Sequence, residues 1–221
     1  MISRKKLDSI ILKALEENPW DTSNAILYKM CQDYPSNAER DTVLAKTLII
    51  GRVYAAALER GLGEKKTKGG EFYIKTVFPK ISSFFLKTTV QLKLNHLSTS
   101  IDFRTAIEVH GMFVKSLRSL RNSNKVSFAS KYLHFHYPNQ FYIFDSRAKK
   151  AVAILNHYFN NGETLSKQNR IESTKTGNKD YLNFVSKSEI LRGKVRNYLE
   201  RDQLSIREFD TILLHIADSI K

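Results

Sequence analysis

A single cysteine, Cys31, stands in a chain of 221 residues. That excludes an internal disulfide, an iron–sulfur cluster and a thiolate zinc site. Turn formers are scarce as well: 9 glycines and 4 prolines are too few to turn the corners of a β-sandwich or barrel. No long apolar run exists, the longest being the six residues from Val53 to Leu58. A membrane-spanning helix needs about 20. The first residues are basic, but acids and lysines interrupt the apolar residues after them, so no secretory signal is expected. Acidic side chains are in deficit, 22 Asp and Glu against 36 Lys and Arg, which leaves a formal net charge of +14. The composition, 42% apolar and 26% charged, is that of a folded globule. Together these features predict a soluble, cytoplasmic protein that meets a polyanion and needs no membrane.

The charge is unevenly placed. From Gly111 to Glu200 there are 16 Lys and Arg against 6 Asp and Glu, so most of the excess lies on about two fifths of the chain. Clustering of this kind is the electrostatic footprint of a nucleic-acid partner. A face that tracks phosphates would bind duplex DNA with steep salt dependence, whatever its sequence.

Apolar residues recur at helical spacing almost throughout, predicting an all-α protein. Leu7, Ile10, Ile11 and Leu15 mark a first helix that ends near Asn18-Pro19, and a second runs from about Ser23 to Asp33. Ser36-Asn37-Ala38-Glu39 has the form of a capping box and predicts a long helix from there to Gly61. Residues 61–70 form a basic loop, and Phe72 to Phe78 is the one β-like run, either a short strand or a packed extended segment. Helices are expected after Pro79, over Thr99 to Leu120, over Val126 to His136, from Asp145-Ser146, and over Lys179 to Glu200. A last helix over Ser205 to Ser219 opens on a second capping box, Ser205-Ile206-Arg207-Glu208. The polar stretch Asn160 to Gly177 reads as a mobile surface loop. The chain divides into three units: an N-terminal helical lobe over 1–95, a core over 96–160 carrying a hairpin-like segment at 122–150, and a loop with C-terminal helices over 161–221.

Common catalytic motifs are absent: no Walker loop, no dinucleotide fingerprint, no His-Glu-x-x-His and no Gly-x-Ser-x-Gly. His134 and His136 are two apart, which puts them on different faces of a helix and makes them a poor metal pair. Neither a metal nor a cofactor is expected.

The unusual stretch runs from Lys125 to Lys150. Lys131 lies early in a short helix of mainly apolar and aromatic residues. Tyr137-Pro138-Asn139-Gln140 turns the chain, and Phe141 to Phe144 return it to Asp145. From Lys131 to the helix end is about 7–8 Å, and the extended return covers about 13–16 Å. The return therefore has the reach to bring Asp145 level with Lys131. An amine desolvated among apolar rings favours its neutral form, a nucleophile for an electrophilic carbon. Asp145 would orient it and stabilise a developing sugar cation. The plainer alternative puts Lys131 at the surface and makes Asp145 or Ser146 a helix N-cap.

The segment Ser127-Phe-Ala-Ser-Lys131-Tyr-Leu-His134, with an aspartate opening the next helix, resembles the catalytic part of the helix-hairpin-helix DNA glycosylase/lyase superfamily. It looks closest to the 8-oxoguanine DNA glycosylase-like branch. The resemblance covers about 35 residues, roughly Val114 to Lys150, and implies a two-lobed helical domain with Lys131 as nucleophile and Asp145 as the essential aspartate. Ser127 and Ala129 stand where the family's hairpin has glycines, and the gap from lysine to aspartate is shorter than usual. The β domain of the larger eukaryotic members is missing, as are the four cluster cysteines of the endonuclease III branch.

The resemblance implies a monomeric DNA glycosylase, with or without AP-lyase activity, that excises a modified or damaged purine through a lysine Schiff base. Its partner would be DNA, either a duplex with an altered base or a single strand. Lys125, Arg147, Lys149 and Lys150 are the candidate phosphate contacts. Tyr132, Phe141, Tyr142 and Phe144 are aromatics of either core or pocket, core being the commoner role. Two other readings compete. One is a DNA-binding module without chemistry, with residues 61–78 as the wing of a winged helix-turn-helix. The other is a glycosidase acting on free nucleotides, in the manner of prokaryotic relatives that serve in phage defence.

Overall fold

The computed structural model describes residues 3–16, 21–60, 70–120, 125–160, 171 and 177–219. Among them are ten α-helices and no strand. They are α1 (Arg4–Lys13), α2 (Asp21–Asp33), α3 (Arg40–Arg52), α4 (Phe78–Phe85), α5 (Thr88–Thr99), α6 (Phe103–Leu117), α7 (Val126–His136), α8 (Ser146–Asn160), α9 (Lys179–Tyr198) and α10 (Ile206–Asp218). No helix among the described residues is long and apolar enough to cross a membrane.

Several helix starts follow capping chemistry. Ser3, Asp102 and Asn178 each accept a backbone N–H three residues on, opening α1, α6 and α9. At α10 the Ser205 and Glu208 side chains satisfy each other's backbone N–H, the predicted capping box. The one predicted at Ser36 does not form. Ser36 Oγ instead accepts from Ala38 N at 3.1 Å in a local turn, and α3 starts later, with Glu39 at an N-cap that its side chain does not bond. The long helix expected to reach Gly61 ends at Arg52, because the chain turns and Ala55 takes a left-handed φ of 53°.

The β-like run is helical. Residues Tyr73–Val77 form a π turn in which Phe78 N–H reaches back to Tyr73 O. That widened turn leads into α4 just before Pro79, whose ring nitrogen has no N–H to donate. Burial of Phe72, Tyr73, Val77, Ile81, Phe84 and Phe85 in the core overrides the β preference of the aromatic and branched residues. The expected basic loop at 61–70 lies outside the described residues except for Gly70. The polar stretch 160–177 does so except for Asn160, Ile171 and Gly177.

The helices pack in two sets. Helix α7 lies against α2, α3 and α6, and α6 carries α4 and α5. In the other set, α8 packs on α9 and α10, and α1 from the far end of the chain packs on α10. Contact between α6 and α9 links the sets. Position in sequence does not decide membership, since the first helix belongs with the last ones. Helix α7 is almost wholly buried: Phe128, Ala129, Tyr132, Leu133 and Phe135 are core residues. Each such large side chain contributes about 1.5–3 kcal/mol. A helix this apolar takes its position from packing, and its few polar side chains are placed with it.

Candidate active site

Three of the polar residues on α7 engage the returning chain. His134 Nδ1 lies 2.6 Å from Phe141 O, and its Nε2 lies 2.5 Å from the Tyr28 hydroxyl. Burial pushes this imidazole down to about 4, so the ring is neutral. Nδ1–H then donates to the carbonyl and Nε2 accepts from Tyr28. Ser130 Oγ donates to Ser127 O at 3.0 Å and accepts from Phe144 N at 3.0 Å. The third is Lys131. With Phe141 and Phe144 pinned by His134 and Ser130, the next residue, Asp145, has nowhere to sit but opposite it.

Lys131 Nζ donates to Asp145 Oδ2 at 2.7 Å and to Ser127 Oγ at 2.9 Å. The other carboxylate oxygen, Oδ1, accepts from Ala148 N at 2.9 Å and caps α8. Asp145 therefore pairs with Lys131 through one oxygen and caps the following helix through the other. The plainer placing of Lys131 at the surface fails, since the residue is only 3% exposed. Burial pushes the Asp145 carboxyl up. The Lys131 charge and the Ala148 N–H outweigh this and hold it below its ordinary range.

A buried ion pair is a poor way to gain stability, because desolvating both charges offsets their attraction. Here the pair borders an open cleft of about 700 Å³. That volume lies in the range of small-molecule sites. The cleft runs along the seam between the two helix sets. Its walls come from α2, the turn after α3, the start of α7, the return to α8, and α10.

The other predicted residues divide between cleft, surface and core. Arg147 and Lys149 line the cleft on the first turn of α8. Arg147 Nη2 pairs with Asp218 Oδ2 at 2.5 Å, and Lys149 Nζ lies 5.6 Å from the centre of the Phe144 ring. Lys150 is exposed on the same turn. Lys125 also borders the cleft but is buried, its Nζ donating to Leu58 O at 2.9 Å, so its charge holds the turn after α3. Of the four aromatics, Tyr132, Phe141 and Tyr142 are core, and only Phe144 lines the cleft. His136 and His134 are each engaged by other side chains, and no group of three or more metal-binding residues comes together among the described residues.

Sequence reasoning did not single out four polar residues of the site. Asn24, Tyr54, Arg207 and Asp210 border the same cleft. Tyr54 donates to Asn24 Oδ1 at 2.5 Å, which leaves Asn24 Nδ2 buried without a partner. Asp210 is 3% exposed, with Oδ2 at 3.7 Å from Arg207 Nη1 and Oδ1 unbonded.

No protein-family profile, curated protein sequence or solved structure matches the chain. Function is therefore to be read from the chemistry of the site.

The pins that place Asp145 are testable. Replacing Ser130 with alanine leaves the buried Phe144 N–H without an acceptor. It is expected to cost about 1–3 kcal/mol in urea unfolding. An unchanged midpoint would mean that the return is held by packing alone.

Proposed function

We propose that this chain is a DNA glycosylase with AP-lyase capacity, of the helix-hairpin-helix type and nearest its 8-oxoguanine-like branch, acting on a modified or damaged purine. One observation carries the reading: a buried lysine and a half-buried aspartate, joined at 2.7 Å and bordering an open cleft. Two helix sets meeting at that cleft suit the two-lobed form that the resemblance implies.

In this reading the target nucleotide swings out of the duplex into the cleft. Arg147, Lys149 and Lys150 hold the flanking phosphates at the first turn of α8. The nucleophile is neutral Lys131, formed when the ammonium gives one proton to solvent. Its lone pair bonds to the sugar C1′ while the C1′–N bond breaks and its electrons leave with the base. Asp145, kept ionised, stabilises the positive charge that builds on the sugar during this exchange. The nitrogen of the adduct then passes a proton to O4′ as the ring opens, leaving an iminium between Nζ and C1′. Loss of a C2′ proton to water expels the 3′ phosphate, and hydrolysis returns Lys131.

The winged-helix alternative loses its extended arm, because residues 72–78 are helical. Its basic residues at 65, 66 and 68 lie outside the described residues.

The test is incubation with duplex and single-stranded oligonucleotides carrying 8-oxoguanine or other altered purines, with free base and strand breaks both measured. Release of base by the wild type and none by Lys131→Gln is the expected result. A plain binding module would release no base from any substrate. A small-molecule glycosidase would release it from free nucleotides alone.

A further inference from the structure

Base release leaves a proton unaccounted for. A purine departs from C1′ with the bonding electron pair, and it departs faster when an acid protonates it. Lys131 cannot be that acid while it attacks, and Asp145 is held as a carboxylate by Lys131 and the Ala148 N–H.

We propose that Asp210 is the catalytic acid that protonates the leaving base. This inference rests on the glycosylase reading above. Asp210 sits on α10 in the wall of the cleft that Lys131 and Asp145 also line. It is 3% exposed, and its Oδ1 has no hydrogen-bond partner. Also in the lining of this cleft, the unpartnered Nδ2 of Asn24 supplies a donor. Buried polar atoms left unbonded are costly unless something else binds them, and a base that shifts the side chains covering them would do so. The apolar stripe of α10 needs no acid at this position: Phe209, Ile212, Leu213 and Ile216 fill it.

The charges around Asp210 keep its proton available. Burial pushes the carboxyl up to about 7, and the negative charge of Asp145 adds to this, while Arg207, Lys131 and Arg147 pull against it. Tyr28 and Tyr54, the titratable groups facing it from α2 and the turn after α3, stay protonated because burial raises both. Helix α1, which also packs on α10, buries Leu7 and Ile11.

The step balances. The Asp210 O–H proton passes to a nitrogen of the purine as the C1′–N electron pair leaves with the base, and the Lys131 lone pair forms the new bond to C1′. Asp210 is left as a carboxylate and regains its proton from water before the next turnover.

The experiment compares wild type, Asp210→Asn and Asp210→Glu on two substrates. The first carries an altered purine, and base release is monitored in single turnovers across pH. The second is an abasic duplex, on which the borohydride-reduced protein–DNA cross-link is measured. Wild-type base release is expected to fall as pH rises past about 7. Asp210→Asn should be slower by on the order of 100-fold below that pH and show no such fall. Asp210→Glu should recover part of the rate along with the pH dependence. All three should cross-link to abasic DNA equally, because that substrate has no base left to protonate. Equal cross-linking also shows that the folded site survives substitution. Base release by Asp210→Asn at the wild-type rate, with normal cross-linking, would overturn the assignment of Asp210 alone. A parallel loss of cross-linking would make Asp210 a structural residue. Failure of the wild type to cross-link would remove the Lys131 chemistry, and this inference with it.

Discussion

Asp145→Asn is expected to slow base release by on the order of 10²–10⁴-fold while leaving duplex affinity nearly unchanged. The substitution keeps the shape of the side chain, so one oxygen can still accept from Ala148 N and cap α8. What is lost is the oxygen that faces Lys131 at 2.7 Å, replaced by an amide N–H₂ that repels an ammonium and offers no charge to the sugar. The proposed phosphate contacts of Arg147, Lys149 and Lys150 are not altered by it. The measurement is single-turnover base release beside a binding titration. A variant that binds weakly but turns over normally once bound would show that Asp145 serves the architecture and not the chemistry. Unfolding should be measured in parallel, since the ammonium of Lys131 then lacks its buried counter-charge. Breaking such a pair typically costs about 3–5 kcal/mol.

The second large effect is on stability. The folded-state value of the Asp210 carboxyl is raised to about 7 from an ordinary 3.8. Between those values the folded chain holds a proton that the unfolded chain has released. The contribution of this one group to stability therefore falls as pH rises from about 4 to about 7 and is flat above, by on the order of 4 kcal/mol. Asp102, Asp145 and Glu208 act in the opposite sense, because their folded values are lowered, so the wild-type curve alone does not isolate Asp210. The difference between wild type and Asp210→Asn does. Urea unfolding is expected to show the variant gaining on the wild type as pH rises, ending more stable at mildly alkaline pH. Parallel curves would mean that Asp210 is ionised at neutral pH and paired with Arg207.

A protein whose stability improves when a side chain is removed has kept that side chain for something else. The unbonded oxygen of Asp210, its burial and its place in the cleft wall are what lead to this expectation.

The half of the site on α7 and its return is legible in sequence because it is local. An apolar run sets the helix, Tyr137-Pro138-Asn139-Gln140 turns it, and the lengths of helix and return place Asp145 near Lys131 by arithmetic. The opposite wall is not legible. Asn24 and Asp210 come from segments far apart in the chain, and no rule of spacing brings them to one cleft. A signal for Asp210 does exist: it is an acid among Phe209, Ile212 and Leu213 on an otherwise apolar stripe. A carboxylate placed there needs a reason. Lys125 shows the converse, since a basic residue in a basic region reads as a phosphate contact, and only packing reveals that its Nζ is turned to Leu58 O. At Phe72 to Phe78 local preference points to extended chain, and burial against the core makes it helical. The resemblance to a glycosylase rests on the same local segment as Lys131 and Asp145, and so offers no guide to α10.

Whether Lys131 is a nucleophile at an open cleft can be tested directly. Wild-type protein is mixed with an abasic duplex, the complex is reduced with borohydride, and the cross-linked peptide is located by mass spectrometry. A stable adduct is expected, with its sugar remnant on Lys131 Nζ, and no adduct at all with Lys131→Gln. An adduct on any other lysine, or one that forms equally well without Lys131, would show that the lysine at this cleft is not the nucleophile.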